Sequence, residues 1–246
     1  MKNTTPEVGT LLGVWAHPDD EIYLSAGLMA ATRAAGHRVV VATATRGEHG
    51  TDDPLEWPPA RLAALREQET AEALAALGVT EHRWLGYVDG ELPQVSPRTG
   101  VDIVTRLLEE IRPDTVVTFG PDGMTGHPDH RTISSWVTAA WQRAGRPCRL
   151  WYATLTPEFH REWGELNAEI GLWFPGTTPP SVRRADLAYQ LRCDEELLDR
   201  KLAALRAHAS QTAPLIELLG IDRFRRWWAC ESFAGAVLPY ELAAVA

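Results

Sequence analysis

Long basic runs are missing from this sequence. Its only lysines are Lys2 and Lys201, and the 246 residues carry a formal net charge of -9. The lysine scarcity has no functional reading of its own, but the charge balance leaves nothing to grip a phosphate backbone, so nucleic acid is excluded as an expected partner. Cysteine is equally sparse: Cys148, Cys193 and Cys230 are far apart, odd in number and without a CxxC pair. A disulfide framework is therefore excluded, and three reduced thiols, at least some of them buried, are expected. No window has the apolar continuity of a membrane span, and the polar opening "MKNTTPEVGT" does not resemble a signal peptide. A soluble, cytoplasmic protein without membrane insertion is the expectation. No GxGxxG follows the first apolar run, no GxxxxGK[ST] loop occurs, and GxSxG is absent. Nicotinamide binding, nucleoside triphosphate chemistry and a serine nucleophile thus lack their signatures.

What is present suffices for a sizeable core: 45% of the residues are hydrophobic and 23% charged. One domain over residues 1–246 is expected. "LLGVWA" predicts a first strand, and "IYLSAGLMAATRAAG" a helix that stops near Gly36. The β-branched "HRVVVATAT" predicts the next strand, Pro58 and Pro59 precede or open the helix "ARLAALREQETAEALAALG", and "VTEHRWLGY" is a short strand. The pattern continues through helix "VDIVTRLLEEIRP", strand "DTVVTFG", helix "RTISSWVTAAWQRAG" and strand "CRLWYAT". Such alternation predicts an α/β, Rossmann-like domain: a mostly parallel sheet with helices on both faces and a ligand site beyond the carboxyl ends of the strands. Residues 155–182, rich in aromatics, glycine and proline, are expected to form a less regular section that covers a pocket. "RRADLAYQLRCDEELLDRKLAALRAHASQ" reads as mostly helical, with a strand within "DLAYQLRCD" as the alternative, and the tail "WACESFAGAVLPYELAAVA" as a final strand or helix.

Two polar clusters lie at the ligand edge of this predicted sheet. His17, Asp19, Asp20 and Glu21 follow the first strand; His127, Asp129 and His130 follow "VVTFG". Groups of this kind are costly to bury unless paired or metal-bound. Imidazole and carboxylate suit a borderline-soft divalent cation, and two histidines with one carboxylate make a recurrent zinc set that leaves a position open for water. The competing reading makes the clusters polar turns, with Asp19 and Asp20 capping a helix and Pro18 and Pro128 shaping loops. Two His-Pro-Asp clusters, each after a predicted strand, favour the metal.

"AHPDDE" followed by "GHPDH" resembles the LmbE-like, or PIG-L, family of zinc-dependent deacetylases that act on N-acetylglucosamine-containing substrates. "TRGEHG", "LREQE", "LGYVDG" and "AHASQ" resemble further family elements, so the likeness runs along nearly the whole chain. The resemblance implies that His17, Asp20 and His130 bind zinc and that Asp19 is the general base for the attacking water. It implies that a positively charged His127 supports the oxyanion or protonates the leaving amine, with Asp129 orienting it or merely fastening a loop. Arg66 and Asp89 become sugar-contacting groups, His208 a pocket residue near the substrate entrance, and Glu21 an anchor for the helix start. A solvent-facing role is the alternative for Arg66. Iron(II), manganese or cobalt could occupy the same metal ligands.

The implied reaction is hydrolysis of an N-acetyl group from a small amino-sugar molecule, releasing acetate and a free amine. Two alternatives stay open: an amidase for a larger acyl group or thiol conjugate, and a non-catalytic binding protein that retains the fold. A homo-oligomer is compatible with the sheet edges and the aromatic carboxyl-terminal third.

Overall fold

Regular alternation carries the first part of the chain. In the computed structural model, which describes residues 8–236, β1 (Leu11–Trp15) leads to α1 (Asp20–Ala34), β2 (Val39–Thr43) to α2 (Pro59–Ala76), β3 (Glu81–Trp84) to α3 (Pro97–Ile111), and β4 (Thr115–Phe119) to α4 (Pro128–Arg143), before β5 (Arg149–Thr154). Every residue of β1, β2 and β4 is buried, as expected of parallel strands covered on both faces. In α3, Gly100, Val104, Leu107, Leu108 and Ile111 are buried, a spacing that gathers one apolar stripe, and the helix packs on α4.

The last third departs from expectation in one place and takes the stated alternative in another. The section read as irregular opens with a helix, α5 (Pro157–Glu169). Thr156 caps it by accepting from the Phe159 amide, and Pro157 occupies the first turn, where a missing N–H does no harm. Its glycines and prolines cluster beyond the helix, so composition averaged over the whole section hid it; the irregular part is residues 170–183. In the stretch expected to be mostly helical the alternative holds: a turn at Arg184–Asp186 leads into a strand within "DLAYQLRCD", β6 (Tyr189–Arg192). Helix begins only where Asp194 accepts from the Leu197 amide at 3.0 Å, giving α6 (Glu195–Ala207), then α7 (Ala209–Leu219) and α8 (Ile221–Trp227). The tail supplies a strand, β7 (Cys230–Gly235); its residues 237–246 lie outside the described part.

The seven strands among the described residues form one sheet in the order β3-β2-β1-β4-β5-β7-β6. β1 to β5 are parallel, and β7 runs antiparallel to both β5 and β6. From β1 the chain moves outward to β2 and β3, then returns to β4 on β1's other side. Crossovers of one hand then put α1 and α4 on opposite faces. They also open a crevice at the carboxyl ends of β1 and β4, where ligands bind in such sheets. Both His-Pro-Asp clusters emerge there. Among the described residues no helix is long and apolar enough to cross a membrane.

Candidate metal centre

Trp15 ends β1 and Phe119 ends β4, and their rings meet edge to face at 5.0 Å. The loops that follow therefore start side by side. His17 Nδ1 comes within 3.1 Å of His130 Nε2. Asp20, in the first turn of α1, sets Oδ2 3.7 Å from His17 Nδ1 and Oδ1 3.4 Å from His130 Nε2. Around a tetrahedral cation with bonds of about 2.0–2.1 Å, ligand atoms stand about 3.3 Å apart. The two imidazole nitrogens fit that frame, whereas Asp20 approaches them with different oxygens and is not in either group of ligand atoms that lie within 4.8 Å of one another.

Proton positions sharpen the fit. His130 Nδ1 lies 3.0 Å from the Gly123 carbonyl oxygen, which can only accept, so the proton of a neutral ring sits there and Nε2 offers a lone pair. His17 Nε2 lies 3.0 Å from Asp89 Oδ1 and 3.2 Å from Asp129 Oδ2, so its proton belongs on Nε2 and Nδ1 offers a lone pair. Two lone pairs and a carboxylate thus converge with no neutral-state proton between them. This donor set suits a cation. The same surroundings raise His17: burial opposes its charge, but hydrogen bonds to Asp129 and Asp89 and the fields of Asp20 and Asp89 outweigh it and push the imidazolium up to about 10. Burial, reinforced by His17 and His127, holds His130 well below the usual range and keeps it a neutral donor.

Two overlapping groups have ligand atoms within 4.8 Å of one another: His17, His127 and His130, and His17, Asp89 and Asp129. The second is a hydrogen-bonded network. Asp129 is fully buried, and its oxygens accept from the Gly90 amide at 2.8 Å and the Leu92 amide at 3.2 Å. Asp89 accepts from the His49 amide at 3.0 Å. For Asp89, burial is outweighed by the hydrogen bond and charge of His17, which hold the carboxyl at about 2. Asp129 therefore fastens a loop and orients His17, whereas the expected side-chain contact to His127 is replaced by its backbone: the Asp129 amide donates to His127 Nδ1 at 3.1 Å. That bond leaves the proton of a neutral His127 on Nε2. Burial, and after it the neighbouring His17, push the His127 imidazolium down.

Asp19 caps α1 in the left-handed region, with φ of 87°, a conformation that short polar side chains tolerate better than most. Arg66 holds it there. The guanidinium, on a side chain only 4% exposed, donates to Asp19 Oδ2 at 3.1 Å, to the Pro18 carbonyl at 2.7 Å and to the Gly47 carbonyl at 2.9 Å. Gly47, at φ of 63°, is required twice over, since a Cβ there would collide with the guanidinium. The solvent-facing alternative for Arg66 is overturned: it reaches the cavity wall, but its hydrogen bonds go to the loops that carry the site. Arg66→Lys, which loses the fork, is expected to lower unfolding free energy by about 1.5–3 kcal/mol. Urea denaturation checks this, and an unchanged midpoint would show that one ammonium suffices.

His208 is displaced from its expected place. It is fully buried and does not line the cavity; Nε2 lies 3.7 Å from Glu21 Oε1, and neither side chain has a hydrogen bond. In the same "AHASQ" element, Gln211 faces the cavity and donates to the Gly50 carbonyl at 3.1 Å. The element is the expected one, but Gln211 and not His208 is on its cavity side. Phe119, stacked on His130 at 4.0 Å, and His49 at the cavity edge join the site beyond the expected residues. "GEHG" was a signal for His49; nothing but a strand end marked Phe119. The cavity that these groups share has a volume of about 570 Å³.

Fold and site together define a Rossmann-like protein with a histidine and carboxylate cluster that could hold a metal ion at the switch point of its sheet. Residues 12–141 match the family described as PIG-L: GlcNAc-PI de-N-acetylase. The chain belongs to that family. It is 34% identical over 227 residues to the 1D-myo-inositol 2-acetamido-2-deoxy-alpha-D-glucopyranoside deacetylase of Saccharomonospora viridis, a match covering 82% of this chain and 84% of the relative. Among solved structures, the N,N'-diacetylchitobiose deacetylase of Pyrococcus horikoshii superposes with a TM-score of 0.63 at 23% identity, over 94% of this chain and 87% of the other. The 4-carboxy-2-hydroxymuconate hydratase of Pseudomonas putida KT2440 does so with a TM-score of 0.64 at 17% identity, over 97% and 100%. Structural likeness at these identities shows the fold alone.

Proposed function

We propose that this protein is a metal-dependent deacetylase that hydrolyses the N-acetyl group of an N-acetylglucosamine-containing small molecule to acetate and a free amine. The observation that carries the reading is the convergence of His17 Nδ1, His130 Nε2 and the Asp20 carboxylate beside Asp19 in one cavity. His17, Asp20 and His130 are assigned to the cation, with zinc the first choice for an imidazole and carboxylate set. When bound, the cation supplies Lewis acidity toward the amide carbonyl and makes water nucleophilic near neutral pH.

The remaining steps belong to the chain itself. Arg66 holds Asp19 Oδ2, so Oδ1 is the oxygen assigned to take the proton from the attacking water. As charge gathers on the carbonyl oxygen, His127 donates to it from Nε2. Asp19 then returns its proton to the amide nitrogen, the carbon–nitrogen bond breaks, and amine and acetate leave. Asp89 and Asp129 keep the His17 proton on Nε2 throughout, which keeps Nδ1 available to the cation.

Metal analysis of the purified protein, combined with acetate release from N-acetylglucosamine derivatives, tests the reading. One tightly held divalent cation per chain and its chelator-sensitive release of acetate are expected. His130→Ala is expected to bind that cation at least about tenfold more weakly, because one of three protein ligands is gone. Unchanged occupancy in this variant would remove His130 from the ligand set, and metal without acetate release would move the activity to another amide.

A further inference from the structure

One helix fastens both ends of the turn at residues 47–50. The turn is closed by the Gly50 amide, which donates to the Gly47 carbonyl at 3.1 Å. Arg66 of α2 holds the first end directly, through that same carbonyl. Glu69 lies three residues further along α2, on the same side of the helix, and reaches the second end through two side chains of α7. It is 5% exposed and does not line the cavity, and its two oxygens accept from the Ser210 amide at 2.7 Å and the Ser210 hydroxyl at 2.6 Å. Gln211 Nε2 in turn lies 3.2 Å from Ser210 Oγ and donates to the Gly50 carbonyl at 3.1 Å.

Donors and acceptors in this chain fit together in one way. A carboxylate accepts, so the Ser210 hydroxyl gives its proton to the bond with Glu69, and its oxygen is left to accept from Gln211. The Gly50 carbonyl also accepts. Both amide protons of Gln211 are thereby used, which fixes Oε1 on the other branch of the side-chain amide. Oε1 has no hydrogen-bond partner among the described residues and is not one of the buried unpaired atoms, and Gln211 lines the cavity. The cavity therefore meets an acceptor at this point, and Glu69 is the group that makes it one. We propose that Glu69 is a positioning residue for the substrate: acting through Ser210, it presents Gln211 Oε1 to a hydroxyl of the amino sugar. The proposal rests on the deacetylase reading above and deepens it, since a sugar hydroxyl has the proton that this oxygen lacks.

The test compares Glu69→Gln, Gln211→Ala and the double variant with the parent, by steady-state acetate release from methyl N-acetylglucosaminide and by calorimetric binding of methyl glucosaminide. In Glu69→Gln the new side chain can accept from the Ser210 amide only by turning its own NH2 toward Oγ. The hydroxyl proton is then sent toward Gln211, where Oε1 alone can receive it, and the cavity loses its acceptor. KM and the dissociation constant of methyl glucosaminide are each expected to rise about threefold to tenfold, the span of one neutral hydrogen bond, with kcat and metal content within twofold of the parent. In the Gln211→Ala background the same substitution is expected to move neither constant. Ser210→Ala removes the relaying hydroxyl and leaves Glu69 its amide partner; the same rise is expected of it, so the role stays testable if Glu69→Gln unfolds. Unchanged KM and binding in the folded variants overturn the proposal. An equal rise without Gln211 overturns it by showing another route, and a fall in kcat that tracks metal content at constant KM does so by making Glu69 a support of the fold alone. If the parent releases no acetate while Glu69→Gln still weakens methyl glucosaminide binding, and only where Gln211 is present, the deacetylase reading fails and the positioning role stands.

Discussion

Asp19→Asn is expected to retain its metal and its fold while kcat for acetate release falls by about 100-fold to 10,000-fold, the range for loss of a general acid–base group. The amide is nearly isosteric with the carboxylate, but it cannot take a proton from water. Asparagine also suits the backbone, because Asp19 sits at φ of 87°, a region that asparagine enters at least as readily as aspartate. Its carbonyl oxygen can still accept from Arg66. The substitution therefore removes the chemistry and leaves the geometry, which Asp19→Ala would not do. Metal content, denaturant midpoint and single-turnover acetate release on the same preparation separate the three properties. Turnover within threefold of the parent would sink the general-base role. Loss of metal would show instead that Asp19 is a ligand.

Much of this arrangement was legible in the sequence. The buried parallel strands are β-branched or apolar runs, and their alternation with helices left few topologies. The clusters were legible because each follows a strand whose direction is set, so both open on one edge of the sheet. What brings them into contact is the strand order, in which β4 returns beside β1, and no local pattern encodes that. The harder residues were those whose burial depends on a distant partner. Arg66 lies on a helix of mixed polarity, which leaves a sugar-contacting and a solvent-facing role both open until Gly47 makes room for its guanidinium. His208 and Gln211 are three positions apart, and only the register of the α6–α7 junction decides which of them meets the cavity. α5 was hidden for another reason: its capping signal, Thr156 followed by Pro157, was outweighed by the composition of the loop after it.

Lys201 was the least legible residue of all, and Lys201→Met is expected to destabilise the fold by about 3–5 kcal/mol, as is Glu231→Gln, the range for breaking a buried ion pair. In "DRKLAALRA" this lysine looks like one more charge on an amphipathic helix. Instead its side chain and that of Glu231 are each 1% exposed, with Nζ 2.7 Å from Oε1. The pair is stitched into α1. Lys201 Nζ donates to the Tyr23 carbonyl at 2.7 Å, the group four residues before Gly27, while Glu231 accepts from the Gly27 amide at 2.7 Å and the Leu28 amide at 2.9 Å. Gly27 leaves no space for a Cβ against Cys193 and Glu231, which lets the carboxylate approach the helix backbone. In Glu231→Gln one amide acceptor becomes a donor facing an N–H, and Lys201 keeps its charge without a counter-charge. The double variant should be destabilised by at least about 1 kcal/mol less than the sum of the singles, because no uncompensated charge remains. Urea unfolding of the four proteins measures both quantities. Strict additivity, or a single-variant loss below 1 kcal/mol, would mean that the pair is not coupled. The same pair ties β7 and α6 to the helix whose first turn carries Asp20, so its loss should also weaken cation binding in protein that is still folded.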